Sequence, residues 1–480
     1  MTEPKRILFS AGEAAGVIGA ACRGNLEAPI RAVVVDSRKA DSDSLFVALP
    51  GERADGHDFM EDALGRGAKV VLAAVAQKEK ALRAFASSAV PDACLILADS
   101  PLRGLQALAR EHRRRLKGLV RIGVTGSSGK TTTKECIAAA LRPSYPSGAV
   151  AMNKGNLNSD IGLSLSMFDL DETHVLGVFE MGMNRRGEMK ELAAIYEPDI
   201  VVVTNIGSAH IGMIGSREGI AAEKKMVFSR FDGGQTAFVW DEDPFKDFLA
   251  RGVPGRFVEF GTKSGKDFEG AESLGLRGWA IRWKARRFVF PLPGRHNLLN
   301  GLAALALAAE LHMDPSLTAK GLSSVRPLFG RSELLTGRVE LLKDCYNANP
   351  DSMAAAIDLC DSVQTKGRRL YVLGSMRELG AESLASHKAL GRKAAESKAD
   401  VLFFFGEEAE ASYETAKQLR APAEESCFHT TAMDELYRLV TTQLRDGDLL
   451  LLKASRGLAL ELLADRLVEA GFAQESDNAS

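Results

Sequence analysis

A glycine-rich loop between an apolar strand and a helix is the feature that most constrains this chain. The segment RIGVTGSSGKTTTKE occupies residues 121–135. The backbone N–H groups of such a loop and the N-terminus of the following helix face a bound anion, and a lysine ammonium adds positive charge. The segment therefore predicts a phosphate-binding loop with Thr131 placed to bind Mg²⁺. The loop residues are Gly126, Ser127, Ser128, Gly129, Lys130, Thr131 and Thr132.

The match is to the shorter form of this motif. The pattern G-x-x-G-K-T begins at Gly126, whereas the longer pattern G-x-x-x-x-G-K-[ST] needs a glycine where this chain has Val124. A strand before the loop and a helix after it are the context that phosphate binding requires, and both are predicted here.

The order of apolar segments predicts an α/β fold with three domains. A chain of 480 residues exceeds the size of one domain, which averages roughly 150 residues. Strands and helices alternate along most of the chain, as they do in parallel sheets built from βαβ units. We expect a small α/β domain in residues 1–100, a central P-loop domain with a mainly parallel sheet in residues 101–333, and a doubly wound, Rossmann-like domain in residues 334–480.

Two segments are interpreted differently. Within residues 251–293, FVEFG, WAIRWK and RRFVFPLPG predict short antiparallel strands attached to the main sheet. A basic cluster ends the helix that begins at Pro101, and we expect it to be a solvated helix face without a binding function. Its members are His112, Arg113, Arg114, Arg115 and Lys117.

Polar residues follow two strands of the central domain. Glu180 ends HVLGVFE and His210 ends VVVTNIGSAH, and the ligands of a doubly wound sheet bind at the carboxyl ends of strands. A buried carboxylate there needs a partner, for which Mg²⁺ beside phosphates is suited. The alternative interpretations are that Glu180 is an exposed residue at the end of its strand and that His210 has a structural role rather than a ligand-binding one. Lys224 and Lys225 lie on the next helix, where the residues alone indicate a solvated face.

Composition excludes several classes of protein. The 61 basic and 63 acidic residues give a net charge of −2, which provides no general attraction for nucleic acid or anionic membranes. The six cysteines form no C-x-x-C pair and predict reduced thiols. We find neither a signal peptide nor an apolar run of the ~20 residues that span a membrane, so we expect a cytoplasmic protein.

Eight features, in their order along the chain, resemble the Mur ligase family. They are TGSSGKTTTKE, NKGNLNSDIG, FEMGMNRRGE, TNIGSAHIG, the spacing from Lys224 to Phe228, GRHNLLN, FGRSE and DCYNANPDSM. The resemblance implies an ATP-dependent amide ligase of peptidoglycan precursor synthesis, monomeric, that acts through an acyl phosphate. DCYNANPDSM and GSMRELG are similar to the member that joins D-alanyl-D-alanine to UDP-N-acetylmuramoyl-tripeptide. These two molecules are therefore the expected partners.

The resemblance also implies residue roles. The implied catalytic residues are Lys130, Glu180, His210 and Lys224. Two Mg²⁺ ions are expected near Thr131, Glu180, His210 and a carbamylated Lys224. Because Lys225 is adjacent, the sequence leaves open which of the two lysines is carbamylated. ATP would be bound by the phosphate loop together with Asn297, Arg331 and Asp344. The first domain would bind the uridine-linked peptide and the third the dipeptide. The implied substrate-binding residues are Ser37, Arg38, Asn158, Ser159, Asn347, Asn349, Ser455 and Arg456.

The chain departs from the family pattern at three places. Asn158-Ser159 replaces paired asparagines, Gly162-Leu163-Ser164 lacks a proline, and Ser375 replaces an acidic residue. Alternatives are a relative that adds a single amino acid, usually marked by D-N-P-R, and a folylpolyglutamate synthase-like ligase, which lacks the DSR…LFVAL…DGHDF segment. A nucleotide-binding regulatory or scaffold protein is a third alternative, although a binder has little need of two metal sites.

Overall fold

The computed structural model describes residues 6–51, 54–88, 90, 92–265, 267–420 and 426–474. Three large sheets follow one another along the chain, and most of their strand pairs are parallel. The predicted α/β class is confirmed. No helix among the described ranges is long and apolar enough to cross a lipid bilayer.

The first domain is built on a five-stranded sheet in the order β2-β7-β6-β5-β4. Its pairs are parallel except for the edge pair β2–β7, and β1 and β3 form a separate antiparallel pair. The strands are β1 (Phe9–Ser10), β2 (Ala21–Gly24), β3 (Pro29–Ile30), β4 (Ala32–Val34), β5 (Ser44–Val47), β6 (Val70–Ala74) and β7 (Cys94–Ala98). The helices are α1 (Ala11–Ile18), α2 (Met60–Gly65), α3 (Lys78–Ser87) and α4 (Pro101–Arg115).

The central domain contains a six-stranded, wholly parallel sheet in the order β13-β12-β11-β8-β10-β9. Its strands are β8 (Val120–Thr125), β9 (Val150–Met152), β10 (Leu176–Glu180), β11 (Ile200–Val203), β12 (Thr236–Trp240) and β13 (Arg256–Phe260). The helices are α5 (Lys130–Leu141), α6 (Asp160–Met167), α7 (Glu188–Tyr196), α8 (Ile211–Ile214), α9 (Arg217–Lys225), α10 (Lys246–Ala250), α11 (Arg295–Glu310) and α12 (Pro315–Ser323).

The prediction for residues 251–293 was wrong in two respects. The FVEFG segment lies in β13, which pairs in parallel with β12 because α10 carries the chain back to the start of the sheet. The antiparallel strands β14 (Phe268–Ser273), β15 (Trp279–Trp283) and β16 (Arg286–Phe290) form a sheet of their own. Alternating hydrophobicity identified strands here but not their partners.

The third domain has a seven-stranded sheet in the order β21-β20-β19-β22-β18-β17-β23. The five strands from β21 to β18 are parallel, and β17 adds antiparallel pairs to β18 and β23. The strands are β17 (Glu333–Gly337), β18 (Glu340–Lys343), β19 (Arg369–Gly374), β20 (Val401–Phe405), β21 (Cys427–Thr430), β22 (Leu449–Lys453) and β23 (Ala473–Gln474). The helices are α13 (Pro350–Ser362), α14 (Ser383–Glu396), α15 (Glu410–Leu419), α16 (Met433–Gln443) and α17 (Glu461–Glu469).

Helix α4 joins the first two domains by belonging to both cores. Leu105 and Leu108 are buried in the core of the first domain, whereas Ala109 and Leu116 are buried in that of the central domain. The helix begins at Pro101, as the sequence predicts, and Ser100 is its N-cap. The first two domains are therefore joined by apolar packing along one continuous helix.

The expectation of a solvated basic face on α4 was wrong for two of its residues. His112 and Arg113 are only 1% and 3% exposed. His112 Nε2 contacts the Leu170 carbonyl at 2.8 Å, and an Arg113 Nη1 nitrogen pairs with Glu197 at 2.7 Å. His112 and Arg113 are buried because the central domain packs over one side of the last turn, and a run of like charges does not reveal such a neighbour.

We predict that Arg113→Ala lowers the free energy of unfolding by about 3 kcal/mol, because Glu197 would lose its buried partner. Arg114 is the matched control, since it reaches the same carboxylate at 3.6 Å but is 62% exposed, and Arg114→Ala should cost under about 1 kcal/mol. The measurement is denaturant unfolding followed by tryptophan fluorescence. All three tryptophans, Trp240, Trp279 and Trp283, lie in the central domain. Equal losses in both variants would contradict the prediction.

Candidate active site

A cavity lies where the carboxyl ends of the central strands face the third domain. Its volume is about 640 Å³. The phosphate loop, the end of β10 and the segment after β11 form one wall, and the first residues of α11 lie beside them. The opposite wall belongs to the third domain. It is formed by residues between Asp344 and Ala355, which follow β18, and by Lys453. The cavity sits at the carboxyl edge that sheet topology predicts for a ligand.

Two glycines allow the loop after β8 to turn tightly. Gly126 and Gly129 have φ values of 145° and 79°, which side chains with a Cβ rarely adopt. A Cβ on Gly129 would lie 2.6 Å from the Asn300 amide oxygen. The loop ends at Lys130, the first residue of α5, so the N-terminus of that helix points into the cavity.

Glu180 is a buried carboxylate with two direct partners. It is 3% exposed. Thr131 Oγ1 donates to Glu180 Oε2 at 2.7 Å, and Asn158 Nδ2 donates to Oε1 at 2.7 Å. The Asn153 side chain fixes the backbone of Glu180. Its Nδ2 donates to the Glu180 carbonyl, and its Oδ1 accepts from Glu180 N. The structure thus brings Thr131 and Glu180 together, as predicted, and adds Asn158 as a second partner of the carboxylate.

The segment after β11 holds the phosphate loop in place. Thr204 Oγ1 and Asn205 Nδ2 donate to the Ser128 carbonyl at 2.6 and 3.1 Å, and Asn205 Oδ1 accepts from Ser128 N at 3.1 Å. Sequence reasoning passed over Asn153, Thr204 and Asn205. The available signal was their position directly after β9 and β11, at the same sheet edge as Glu180.

Two cations face the cavity from different parts of the chain. Lys130 extends from α5, and Arg331 lies in the turn before β17 with its guanidinium 4.0 Å from the centre of the Tyr346 ring. Burial lowers the pKa of Lys130, Glu180 opposes this effect and Arg331 adds to it. A site where two cations repel each other is favourable for an anion.

Asp344 and Asn297 lie beside these cations. Lys453 Nζ donates to Asp344 Oδ2 at 2.7 Å. Burial raises the pKa of Asp344, but the Lys453 ammonium, together with His296 and the Ser332 N–H, outweighs burial and the net shift is downward. Asn297 is 4% exposed at the start of α11, next to His296. The structure therefore places every predicted nucleotide-binding residue except Gly126 at the lining of one cavity and adds Lys453, which the sequence did not single out.

The third domain contacts the central domain through polar side chains. Asn349 Nδ2 donates to Ser128 Oγ at 3.1 Å. Asp351 Oδ2 accepts from the N and Oγ of Ser208, each at 2.7 Å. His210, predicted as a metal ligand, lines the cavity but pairs through Nδ1 with Glu378 at 3.2 Å.

Lys224 and Lys225 have opposite environments. Lys224 is 0% exposed, and its Nζ has no hydrogen-bond partner among the described residues. Burial, reinforced by the nearby Lys130 ammonium, lowers the pKa of Lys224 well below its ordinary value. Lys225 Nζ instead donates to the carbonyls of Phe248 and Arg251. The solvated face indicated by the residues alone is wrong for Lys224.

Four of the predicted substrate residues do not line this cavity. Ser37 is buried in the first domain, and Arg38 is exposed and paired twice with Asp36. Ser455 Oγ accepts from Arg377 N at 2.9 Å. Arg456 pairs with Glu461 at 2.8 Å, with its guanidinium near the rings of Phe329 and Tyr346. By contrast, Asn158, Ser159, Asn347 and Asn349 do line the cavity.

Local hydrogen bonds account for the three departures from the family pattern. Ser159 Oγ accepts from Gly162 N and caps α6. Ser164 Oγ bonds the Asp160 carbonyl one turn earlier. Ser375 is fully buried, and its Oγ accepts from Ala409 N at 3.0 Å. Ser159 and Ser164 thus bond only backbone groups, whereas Ser375 also hydrogen-bonds the Glu408 carboxylate.

Comparison with known proteins assigns the chain to a family. Three family models match in order: the Mur ligase family catalytic domain over residues 29–112, the Mur ligase middle domain over 124–308 and the Mur ligase glutamate ligase domain over 330–456. The UDP-N-acetylmuramoyl-tripeptide–D-alanyl-D-alanine ligase of Treponema pallidum is 39% identical over 90% of this chain and 92% of its own length. The chain belongs to the Mur ligase family.

Solved structures agree with this assignment. A crystal structure of MurF from Acinetobacter baumannii has a TM-score of 0.84 and 27% identity, and the match covers 96% of this Mur ligase and 99% of that chain. MurF ligase from Thermotoga maritima, solved in complex with ADP, has a TM-score of 0.77 and 26% identity over 91% of this chain and 97% of that one. The resemblance inferred from the motifs is thereby confirmed.

We predict that Gly129→Ala destabilises this Mur ligase more than Gly148→Ala does. Both glycines have positive φ, 79° and 86°, so both variants incur strain of about 1–2 kcal/mol. A Cβ at Gly148 meets nothing within 4 Å, whereas one at Gly129 meets Asn300. The difference between their free energies of unfolding, measured in denaturant, isolates that contact. A Gly148 variant at least as unstable as the Gly129 variant would refute the prediction.

Proposed function

We propose that this Mur ligase joins D-alanyl-D-alanine to UDP-N-acetylmuramoyl-tripeptide at the expense of ATP, in peptidoglycan precursor synthesis. The observation that carries the proposal is the convergence of Lys130, Thr131 and Glu180 on one cavity that also receives Arg331. The printed names of the relatives supply the substrates. They favour this activity over addition of a single amino acid and over a folylpolyglutamate synthase-like reaction.

The reaction needs an activated carboxylate, because oxide is too poor a leaving group for an amine to displace. The terminal carboxylate of the tripeptide attacks the γ-phosphorus of ATP, the bond to the β-phosphate oxygen breaks, and ADP leaves. The amine of the dipeptide then attacks the acyl carbon, phosphate departs and the amine loses a proton. Residues of the cavity orient these groups and keep water from the acyl phosphate.

The phosphates of ATP are assigned to the loop from Gly126 to Thr132. Loop N–H groups and the N-terminus of α5 face the cavity, and Lys130 and Arg331 offset phosphate charge from two sides. Asn297 and Asp344 are proposed to hold the rest of the nucleotide. The ADP complex of the Thermotoga maritima relative supports nucleotide binding.

The oxygen donors of Thr131 and Glu180 suit Mg²⁺, which prefers oxygen ligands and retains waters and phosphates as its other ligands. Among the described residues no three His, Cys, Asp or Glu side chains are grouped as a metal site of their own. We assign Thr131 and Glu180 to one ion, and His210 and Lys224 to the second. Bound Mg²⁺ would neutralise charge on the phosphoryl oxygens.

The site of Lys224 favours carbamylation. A lysine amine that is neutral can add to CO₂, forming a carbamate and releasing a proton, and the carbamate oxygens can bind a cation. The buried, unpartnered Nζ of Lys224 meets this requirement, whereas the Lys225 ammonium is already bonded to two carbonyls. We therefore assign the carbamate to Lys224.

The remaining assignments concern the two peptides. We propose that residues 1–100, with Ser37 and Arg38, hold the uridine-linked peptide, and that Asn158 and Ser159 contact its peptide part. Residues 334–480 are proposed to hold the dipeptide. The residues assigned to it are Asn347, Asn349, Ser455 and Arg456. The boundary at residue 333, the monomeric state and the cytoplasmic location stay predictions.

The decisive test is phosphate release by the purified full chain with ATP, Mg²⁺, UDP-N-acetylmuramoyl-tripeptide and D-alanyl-D-alanine. We expect release only in the complete mixture, because the acyl phosphate is consumed only when the amine attacks. Each component is omitted in turn, and D-alanine replaces the dipeptide in a parallel reaction. Release that ignores the dipeptide, or that needs a single amino acid, would overturn the proposal.

We predict that Lys224→Ala lowers activity about 100-fold or more, since a group that stabilises transferring phosphoryl charge is lost. Added formate or acetate should restore part of the activity by replacing the carbamate oxygens. Lys225→Ala is the matched control and should keep activity close to that of the unaltered protein. Full activity of Lys224→Ala without added carboxylate would rule out the carbamate assignment.

A further inference from the structure

Ser332 occupies an unusual position between the central and third domains. It lies between Arg331 and the first residue of β17, and its φ of 52° is in the left-handed region. A non-glycine residue keeps this conformation only where its surroundings hold it. The residue is 4% exposed and lines the cavity.

One hydrogen bond from each side fixes Ser332. Its N–H donates to Asp344 Oδ1 at 3.1 Å, in the third domain. Its Oγ accepts from Asn297 Nδ2 at 3.3 Å, on α11 of the central domain. The strained backbone is therefore held by groups from both domains at once, and a separation of the two domains would break one of the bonds.

The bond to Asn297 continues to the phosphate loop. Asn300 Nδ2 donates to Asn297 Oδ1 at 3.1 Å, and Thr133 Oγ1 donates to Asn300 Oδ1 at 3.0 Å. Thr133 belongs to α5, the helix that begins at Lys130. A continuous series of side-chain hydrogen bonds thus runs from the phosphate-loop helix to Ser332.

The bond to Asp344 continues into the third domain. Lys453, at the end of β22 and 2% exposed, donates to Asp344 Oδ2 at 2.7 Å and to the Asn347 carbonyl at 3.2 Å. Ser332 is the midpoint of a path between the central strand of the third sheet and α5. A path alone does not show energetic coupling, so coupling has to be measured.

Arg331 is the residue that this arrangement places. Its backbone N–H donates to the Leu328 carbonyl at 2.9 Å, and the Gly330 carbonyl accepts from Tyr346 N at 2.9 Å. The guanidinium lies over the Tyr346 ring. Because the φ of Ser332 sets the direction of the chain directly after Arg331, a change there redirects the turn that carries the guanidinium.

We propose that Ser332 is a positioning residue that acts through Arg331: its left-handed backbone, held by Asn297 and Asp344, fixes the guanidinium against the phosphate site. The inference rests on the proposed function only in taking a nucleotide phosphate as the anion. It also gives the junction a role in sensing the third domain, because Asn297 reaches Ser332 only when that domain is docked, whereas the bond to Asp344 continues the β17–β18 hairpin.

The experiment measures binding of a non-hydrolysable ATP analogue with Mg²⁺ to the full chain by calorimetry. Four proteins are compared: unaltered, Ser332→Ala, Arg331→Ala and the double variant. We expect Ser332→Ala to weaken binding about fivefold, the effect of losing one buried hydrogen bond. The double variant should bind as Arg331→Ala does, because Ser332 acts through Arg331. Independent, multiplying losses would overturn the proposal.

Two further variants separate positioning from folding. Ser332→Gly relieves the backbone strain but loses Oγ, so it should weaken binding at least as much as Ser332→Ala without lowering the unfolding temperature. Ser324→Ala is the matched control, since Ser324 Oγ bonds the Gly321 carbonyl at 2.7 Å outside the cavity. It should bind the analogue normally.

The outcomes distinguish this inference from the proposed function. Normal binding by Ser332→Ala, with the unaltered chain also binding, overturns the inference and leaves the ligase proposal intact. Binding by the unaltered chain without ligation overturns the ligase proposal and leaves the role of Ser332 to be decided by the four affinities. No binding by the unaltered chain overturns both.

Discussion

The buried carboxylate of Glu180 is the constraint on which the polar edge of the central domain depends. A charge that is 3% exposed needs hydrogen bonds, and Thr131 and Asn158 provide one to each oxygen. Because β10 lies next to β8, these bonds also fix where the phosphate loop ends and α5 begins. The same residues that stabilise the folded edge are thus the ones proposed to bind metal and nucleotide.

The three domains are joined by two kinds of contact. Apolar side chains of α4 contribute to the cores of both the first and central domains. The contacts between the central and third domains include hydrogen bonds and an ion pair near the cavity, those of Asn349, Asp351 and Glu378. Leu276 and Ile211 add apolar contacts with the core of the third domain. Water can replace polar contacts of this kind at small cost, whereas it cannot replace an apolar core.

Much of this was predictable from the sequence, and the failures have identifiable causes. The phosphate loop, Glu180 and the parallel sheets follow from local patterns and from the rule that parallel strands present their carboxyl ends at one edge. The parallel pairing of β13, the burial of Arg113 and the partner of His210 depend on neighbours distant in the chain. The same applies to Lys453. The sequence shows only a charged residue at the end of an apolar strand, and its partner Asp344 is distant in the chain.

The shared helix α4 has a consequence for how the molecule can move. If the first and central domains rotate relative to each other, buried Leu105, Leu108 and Ala109 must leave their cores. Rotation of the third domain breaks polar bonds such as the one from Asn297 to Ser332, and it separates Leu276 and Ile211 from the core of the third domain. The shared helix therefore ties the first domain to the central one, so that the two are expected to move together. The cavity lies at the boundary with the third domain, so this is the joint whose opening would admit a nucleotide, while residues 1–100 stay with the central domain.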